Sequence, residues 1–464
     1  MNENGYEFKG GFPTPETVRK AYDDADLNRA VQAYRFFYPT VSGAAIFKGN
    51  RDSGVVDNKV FGILDSKPRH VGFTYNSDTP YGPMQLDLQD GPFTIELPAG
   101  PLIVVAIDMN QRWVADMGIP GPDEGKGGKH IILPPDYKGK VPGGYHVWKS
   151  STWHVIVGVR SLPLGGDLKA AFDRIRTIKV RPLNPPAGWT DPQWPDLTPN
   201  PQDTTPLKWE DNLTFWEVLH EVINTEPSYE GYRDYYGELA ALGIVKGKPF
   251  APDARMKRIL AEAARAGNAQ MRVQSFADRR SDRVVWPDRT WEWVGLRPEN
   301  GDFDGPSYVD LDAREVWFYQ AIGASPAMFR RKAGQGSLYW LGLRDKTGAY
   351  LDGGKAYKLT VPLPVPGKLF WSVTVYDAET RSQIRTDQGK AALRSLFELK
   401  DKTAGNPAGN SMDLYFGPNA PAGHAGQWIK TIPGKGWFVY LRVYGPEQPA
   451  FDGSWEPGDF EVVR

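Results

Sequence analysis

Residues Asp90-Gly91-Pro92-Phe93-Thr94-Ile95-Glu96-Leu97-Pro98 read as a turn followed by a strand that alternates apolar and polar side chains and stops at proline. An apolar run, Ile103 to Ile107, comes next and ends at Asp108. The same grammar returns near the C-terminus as Asp352-Gly353, then Tyr357-Lys358-Leu359-Thr360-Val361-Pro362, then an apolar strand ending at Asp377. In each half a later strand opens with tryptophan, Trp153 or Trp437, and runs on to an arginine, Arg160 or Arg442. Trp153, Val155, Val157 and Val159 share one face of the first of these strands. Two copies of one plan predict two related β-sandwich or jelly-roll-like domains. Independent convergence on the same strand–turn–strand grammar is the alternative.

Outward from these strands the pattern is helical. Glu16 to Phe37 carries a helical stripe of Val18, Tyr22, Ala25, Ala30, Ala33 and Phe37, with Pro39 expected to end it. A short helix is expected over Leu168 to Ile178. Eight prolines between Pro182 and Pro206 then forbid helix or central strand and predict an extended surface linker. Helical periodicity resumes with Leu213, Trp216, Leu219, Val222 and Ile223, again with Met256, Ile259, Leu260, Ala263 and Met271, and over Ala313 to Arg331, interrupted at Pro326. The expected fold is mixed and mainly β: two β-sandwich/jelly-roll-like domains with a helical insert between them and an N-terminal helix. The expected divisions are residues 1–40 (N-terminal helical segment), 41–181 (first β domain), 182–206 (linker), 207–335 (helical region) and 336–464 (second β domain).

Composition narrows the function classes. The 464 residues carry 55 Lys+Arg against 56 Asp+Glu, so no basic excess points to nucleic acid. With no cysteine, disulfides, thiolate metal sites and cysteine nucleophiles are excluded. The apolar run beginning at Leu102 is far too short to span a bilayer, and no secretory signal is visible near Met1.

Standard catalytic signatures are missing: there is no Gly-x-Ser-x-Gly elbow, and His220-Glu221-Val222-Ile223-Asn224 has asparagine where a zincin needs its second histidine. Three of the six histidines, His130, His146 and His154, fall close together in the first β region and form an optional metal site, although no cofactor is expected. The densest polar segment is Asn76-Ser77-Asp78-Thr79-Pro80-Tyr81. Asp78 and Tyr81 are the catalytic candidates there, with Asn76 and Thr79 orienting a substrate. A turn in which Asn76 and Asp78 bond their own backbone is the structural alternative. Asp108, Arg112 and Trp113, at the end of the apolar strand, form a second candidate cluster for substrate binding, or else a structural ion pair. Trp371, Trp428, Trp437, Trp455 and Tyr376 suit either a stacking platform or a sandwich core, with core the default.

Two sets of motifs carry a family likeness. The first runs from Tyr34-Arg35-Phe36-Phe37-Tyr38-Pro39 through Asn76-Ser77-Asp78-Thr79-Pro80-Tyr81 and Gly125-Lys126-Gly127-Gly128-Lys129 to Gly143-Gly144-Tyr145. The second comprises Phe370-Trp371-Ser372-Val373-Thr374-Val375-Tyr376-Asp377, Leu441-Arg442-Val443-Tyr444 and Gly453-Ser454-Trp455-Glu456-Pro457. With these the chain resembles bacterial proteins in which the domain of unknown function numbered 1254 precedes the one numbered 1214. The resemblance implies two β-sandwich domains with helical elements, and export to the periplasm or cell exterior after removal of a signal not present here. Residues and resemblance together lead to the expectation of a hydrolase- or lyase-type enzyme acting on a small polar or polymer-derived substrate in a cleft at the β domains. The alternative is a non-catalytic envelope protein that binds glycan or aromatic ligands. The expected partner is a small-molecule or glycan-type substrate, with a homo-oligomer as an option.

Overall fold

The computed structural model describes residues 5–204, 208–296, 303–329, 331–334, 336–403 and 410–463. A long helix, α1 (Pro15–Ser53), forms the spine. Its start has Pro15 in the first turn and the Thr14 hydroxyl accepting from the Thr17 amide, and its end is Gly54 in the left-handed conformation. Pro39 does not stop it, contrary to the sequence expectation. An interior proline costs about 3 kcal/mol, and burial beyond it compensates: Thr40, Val41, Ser42 and Gly43 are all buried. At Gly43 a Cβ would lie 2.8 Å from the Met109 carbonyl oxygen, so glycine is what lets this turn of the helix press on the loop after residue 108. The N-terminal helical segment therefore extends well past residue 40.

The first sandwich comprises β1 (Tyr81–Asp87), β2 (Phe93–Leu97), β3 (Leu102–Asp108), β4 (Trp113–Gly118), β5 (Gly128–Leu133), β6 (His146–Lys149), β7 (His154–Ser161) and β8 (Lys179–Pro182). They form two sheets in the orders β1-β7-β3-β4 and β8-β2-β5-β6, with α2 (Leu168–Arg176) before the last strand. The second sandwich comprises β9 (Ser337–Gly342), β10 (Ala356–Pro362), β11 (Gly367–Asp377), β12 (Ala392–Arg394), β13 (Ser411–Gly417), β14 (Trp428–Lys430), β15 (Trp437–Pro446) and β16 (Glu461–Val463). Its sheets run β9-β15-β11-β12, extended beyond β9 by Glu292–Trp293, and β16-β10-β13-β14. Each strand thus has a counterpart eight places later in the same sheet position. The match extends to direction, since β5–β6 and β13–β14 are the parallel pairs. The repeated grammar in the sequence corresponds to a repeated topology.

Alternation places one face of each strand in a core. Met84, Leu86, Ile95, Val104, Val155, Val157 and Val159 fill the first sandwich; Trp340, Leu359, Val373, Val375, Leu414, Val439 and Leu441 fill the second. Trp371, Trp437 and Trp455 belong to that second core and offer no exposed stacking platform. The helical region packs α3 (Thr214–Thr225), α4 (Arg233–Ala241), α5 (Ala254–Phe276) and α6 (Leu311–Gln320) around α1, with Tyr34, Phe37, Phe215, Trp216, Leu260 and Trp317 in its core. The proline-rich segment, whose expected end at residues 205–206 lies outside the described residues, is extended up to residue 204 and lies along residues 60–71 through the isolated bridges Val60–Gln193, Ile63–Asp196 and Val71–Asp203. Among the described residues no helix is long and apolar enough to cross a membrane.

Candidate functional site

The inner sheets of the two sandwiches, β1-β7-β3-β4 and β9-β15-β11-β12, both border a cavity of about 150 Å³. β1, β3 and β7 supply Tyr81, Val105, Ile107, Ile156, Gly158 and Arg160; β9 and β15 supply Tyr339, Tyr440 and Arg442. The loop Phe73–Asn76 closes one side, and Trp317, Ile322, Gly323 and Met328 another. A mostly apolar hollow between domains with a few convergent polar groups is the usual form of a ligand site.

Its polar heart is a duplicated pair. On β1 and β7, Tyr81 stands directly opposite Arg160; on β9 and β15, Tyr339 stands directly opposite Arg442. Opposed residues on neighbouring strands hold their Cβ atoms about 5 Å apart, so each sandwich presents one phenol beside one guanidinium. The two arginines differ in what they hold. Arg442 donates to the Tyr376 hydroxyl at 2.5 Å and to the Thr74 carbonyl at 2.7 Å, and lies among the rings of Tyr339, Tyr376 and Tyr440. Arg160 makes no side-chain hydrogen bond or ion pair with any described residue. Burial works against its charge, but the phenol oxygens of Tyr339, Tyr444 and Tyr81 outweigh burial and hold the guanidinium above its ordinary value.

The segment Asn76 to Tyr81 divides between two tasks. The Asn76 carboxamide oxygen accepts from the Asp78 and Thr79 amides at 2.8 and 2.9 Å and from the Thr79 hydroxyl at 3.1 Å, which is the self-bonded turn. The same residue donates to the Tyr81 hydroxyl oxygen twice, from Nδ2 at 2.5 Å and from its backbone amide at 3.1 Å. With both bonds entering its oxygen, Tyr81 retains its own hydrogen to give to a ligand.

Asp78 and Thr79 do not line the cavity. Asp78 is buried in the seam between the sandwiches, where Oδ2 accepts from the Ser372 hydroxyl at 2.8 Å and the Tyr444 hydroxyl at 3.2 Å. Burial raises its pKa, against the charges of Arg442 and Arg394. Ser77 meets the Thr374 hydroxyl at 3.1 Å, and its carbonyl accepts from Arg394 at 2.6 Å. The carbonyls of Thr74 and Tyr75 accept from the Tyr376 hydroxyl. Ser372, Thr374 and Tyr376 are alternate residues on one face of β11, so the two motif-rich segments of the sequence are the complementary halves of one interface.

The second cluster lies elsewhere. Asp108 caps the turn after β3, with Oδ1 accepting from the Asn110 and Arg112 amides at 2.9 Å and Oδ2 from the Ser151 hydroxyl at 2.5 Å. Its pKa is pushed up to about 6 by burial, with the Ser151 bond and the Arg112 charge opposing. Arg112 stacks 3.8 Å from the Tyr229 ring and lines a separate cavity with Tyr232, Tyr235 and Arg314. Trp113 packs edge-on to Trp148. Asn76, Asp78, Tyr81, Asp108 and Arg112 therefore do not converge on one pocket.

The histidines also separate. His130 and His146 are neighbours on parallel strands with ring centroids 5.0 Å apart, whereas His154 lies on the other sheet and meets Glu226 at 2.5 Å. Among the described residues no group of three or more His, Cys, Asp or Glu side chains is placed to hold a metal ion.

The sequence reading missed Arg160, Arg442 and Tyr339 as site residues. Gln111 accepts from the Gly323 amide at 2.7 Å and donates to the Pro39 carbonyl at 2.8 Å, setting the wall above the cavity. A signal for Arg160 was present: it shares the face of β7 opposite to Val155, Val157 and Val159, where a cation beside Ile156 and Gly158 is out of place on a simple solvent face.

Comparison with known proteins accords with this architecture. A family model described as Protein of unknown function (DUF1254) matches residues 61–182, and one described as Protein of unknown function (DUF1214) matches residues 336–448. No curated protein matches the chain. Among solved structures, the VPA0106 protein from Vibrio parahaemolyticus is similar over 95% of this chain and 100% of that one, at 18% identity and a TM-score of 0.58, a likeness of fold. A putative uncharacterized protein from Burkholderia cenocepacia aligns over 97% of each chain at 12% identity with a TM-score of 0.41. The chain belongs to the proteins that pair an N-terminal DUF1254 domain with a C-terminal DUF1214 domain.

Proposed function

We propose that the cavity between the sandwiches binds a small organic anion, and that the protein is a lyase-type enzyme for which Tyr81 supplies a proton. The observation that carries the reading is the Tyr81–Arg160 pair: a guanidinium with no side-chain partner among the described residues, directly opposite a phenol whose oxygen is already filled by two donors from Asn76. A guanidinium in a largely apolar hollow favours an anionic group, and an adjacent hydroxyl held at a fixed point suits proton transfer to a charge developing beside it. Arg442 adds positive field from the facing sheet. In this reading Asn76 positions Tyr81, and Asp78 joins the domains rather than acting on substrate. The same proposal keeps the site outside the cytoplasm, as the family resemblance implies.

The test is calorimetry and a turnover screen with a panel of small carboxylates on wild type, Arg160→Gln and Tyr81→Phe. Wild type is expected to bind saturably, Arg160→Gln at least about tenfold more weakly. Tyr81→Phe is expected to bind but not turn over. Equal affinities in wild type and Arg160→Gln would sink the proposal. Saturable binding without turnover in wild type favours the second reading, a non-catalytic binding protein using the same cavity.

A further inference from the structure

The central cavity adjoins two others, and all three run along one strand. A wider space of about 320 Å³ shares Val105, Arg160 and Met328 with it, and a narrower one of about 100 Å³ shares Tyr75, Tyr81, Ile156, Gly158 and Ile322. Along β7 and just past it the order is Leu162 and Arg160 for the wide space, Arg160, Gly158 and Ile156 for the middle, and Gly158 and Ile156 for the narrow one. Six residues of extended chain cover about 20 Å.

The midpoint of this track is Gly158. It lies in a central strand, yet a Cβ built there would meet no atom nearer than the Val105 carbonyl oxygen at 3.9 Å. A glycine within a strand commonly marks the close approach of a ligand or another backbone, and here no protein atom fills the space above it. Beyond it, Asn50, Asp65, His70, Tyr75 and Gln202 around the narrow space are tied into one network. Asp65 accepts from Arg69 and lies 3.0 Å from His70 Nε2, His70 Nδ1 accepts from the Gln202 amide at 3.2 Å, and Gln202 bonds both Asn50 and the Tyr75 hydroxyl. The apolar part of the wall is made by Ile46, Leu64, Pro83, Ile156 and Ile322, with Lys67 and Gln383 also bordering the space.

We infer that the anion this site takes is a linear amphipathic acid, with its anionic head at Arg160 and its acyl chain lying over Gly158 into the narrow space beside Leu64 and Pro83. The inference rests on the proposed anion site and adds chain length as the property recognised. Arg160, at the junction of the wide and middle spaces, receives the head; the chain end lies against the apolar wall of Ile46, Leu64 and Pro83.

The experiment titrates the full chain with acetate, butyrate, octanoate and neutral octanol, using tryptophan fluorescence from Trp317 and its neighbours or calorimetry. Affinity is expected to rise about fourfold per added methylene from butyrate to octanoate. Gly158→Leu, which fills the track, is expected to abolish that dependence on length, and Gly158→Ala to reduce it, with circular dichroism verifying the fold of each. Arg160→Gln is expected to weaken every carboxylate. Affinity independent of chain length in wild type, or an undiminished length dependence in folded Gly158→Leu, overturns the acyl-chain inference while leaving the anion site standing. Octanol binding as tightly as octanoate overturns the placement of the head. Loss of the length dependence in Gly158→Leu and its reduction in Gly158→Ala, with Arg160→Gln weakened, supports the whole assignment. Should Gly158→Leu fail to fold, Gly158→Ala alone decides, an undiminished dependence counting against it.

Discussion

Arg381 presents its guanidinium to the Glu210 carboxylate at 2.6 Å with both side chains withdrawn from water. The pair joins the turn after β11 to the segment before α3, and the Tyr38 hydroxyl on α1 donates to Glu210 while accepting from Arg381 at 2.9 Å. Three parts of the chain far apart in sequence thus meet in one buried network. Such a network stabilises only when every member is satisfied, because each charge left alone is stranded in a medium that solvates it poorly.

Removing one partner is therefore expected to be severe. Arg381→Ala should lose about 3–5 kcal/mol, read as a lowered thermal midpoint and a lower urea midpoint. A loss below about 1 kcal/mol would show that water reaches Glu210 and solvates it.

Asn76 is expected to control Tyr81 without controlling the fold. Asn76→Asp keeps the oxygen that accepts from the Asp78 and Thr79 amides but puts an acceptor where Nδ2 donates to Tyr81. The Tyr81 hydrogen then turns to the new carboxylate. Ligand binding and any turnover should fall about tenfold or more while the melting temperature changes little; unchanged binding would remove Asn76 as a positioning residue.

Asp78 offers the opposite pattern. Asp78→Ala leaves the Ser372 and Tyr444 hydroxyls without their acceptor in the seam, a cost of about 1–3 kcal/mol. Asp78→Asn retains an acceptor oxygen, and because burial already disfavours the charge the change should cost less than about 1 kcal/mol, with cavity binding preserved. A folded Asp78→Asn protein that binds but no longer turns over would return Asp78 to the chemistry.

His154 is expected to make stability depend on pH. Burial works to lower its pKa, but the bond to Glu226 and the charges of Glu226, Asp87 and Asp57 outweigh it and raise the folded value above the ordinary one. Stability from this contact is fully present below the unfolded histidine value and is lost as pH rises through the raised folded value. Melting temperature should fall across that window in wild type and more shallowly in Glu226→Gln. Equal slopes in both would place the pH dependence on other groups.

What local chemistry dictates was legible in the chain. The alternation at Phe93–Leu97 and at Val155, Val157 and Val159, the turns before β2 and β10, and the density of prolines after residue 182 each depend on neighbours a few residues away. So does the self-bonded turn at Asn76. The repeated plan was visible because it is written twice, and the family motifs marked both halves.

Long-range packing settled the rest. Pro39 continues a helix because the turn beyond it is buried, and no local preference reports that. Arg112 lies nearer Tyr81 in sequence yet faces another hollow, and Asp108 caps a turn, whereas Arg160 reaches Tyr81 through strand pairing across 79 positions and Arg442 reaches the same cavity from the other sandwich. Periodicity states which face a side chain takes, but which strand lies beside it, and which sheet lies across from it, depend on how two distinct cores dock. The site exists only in that docking.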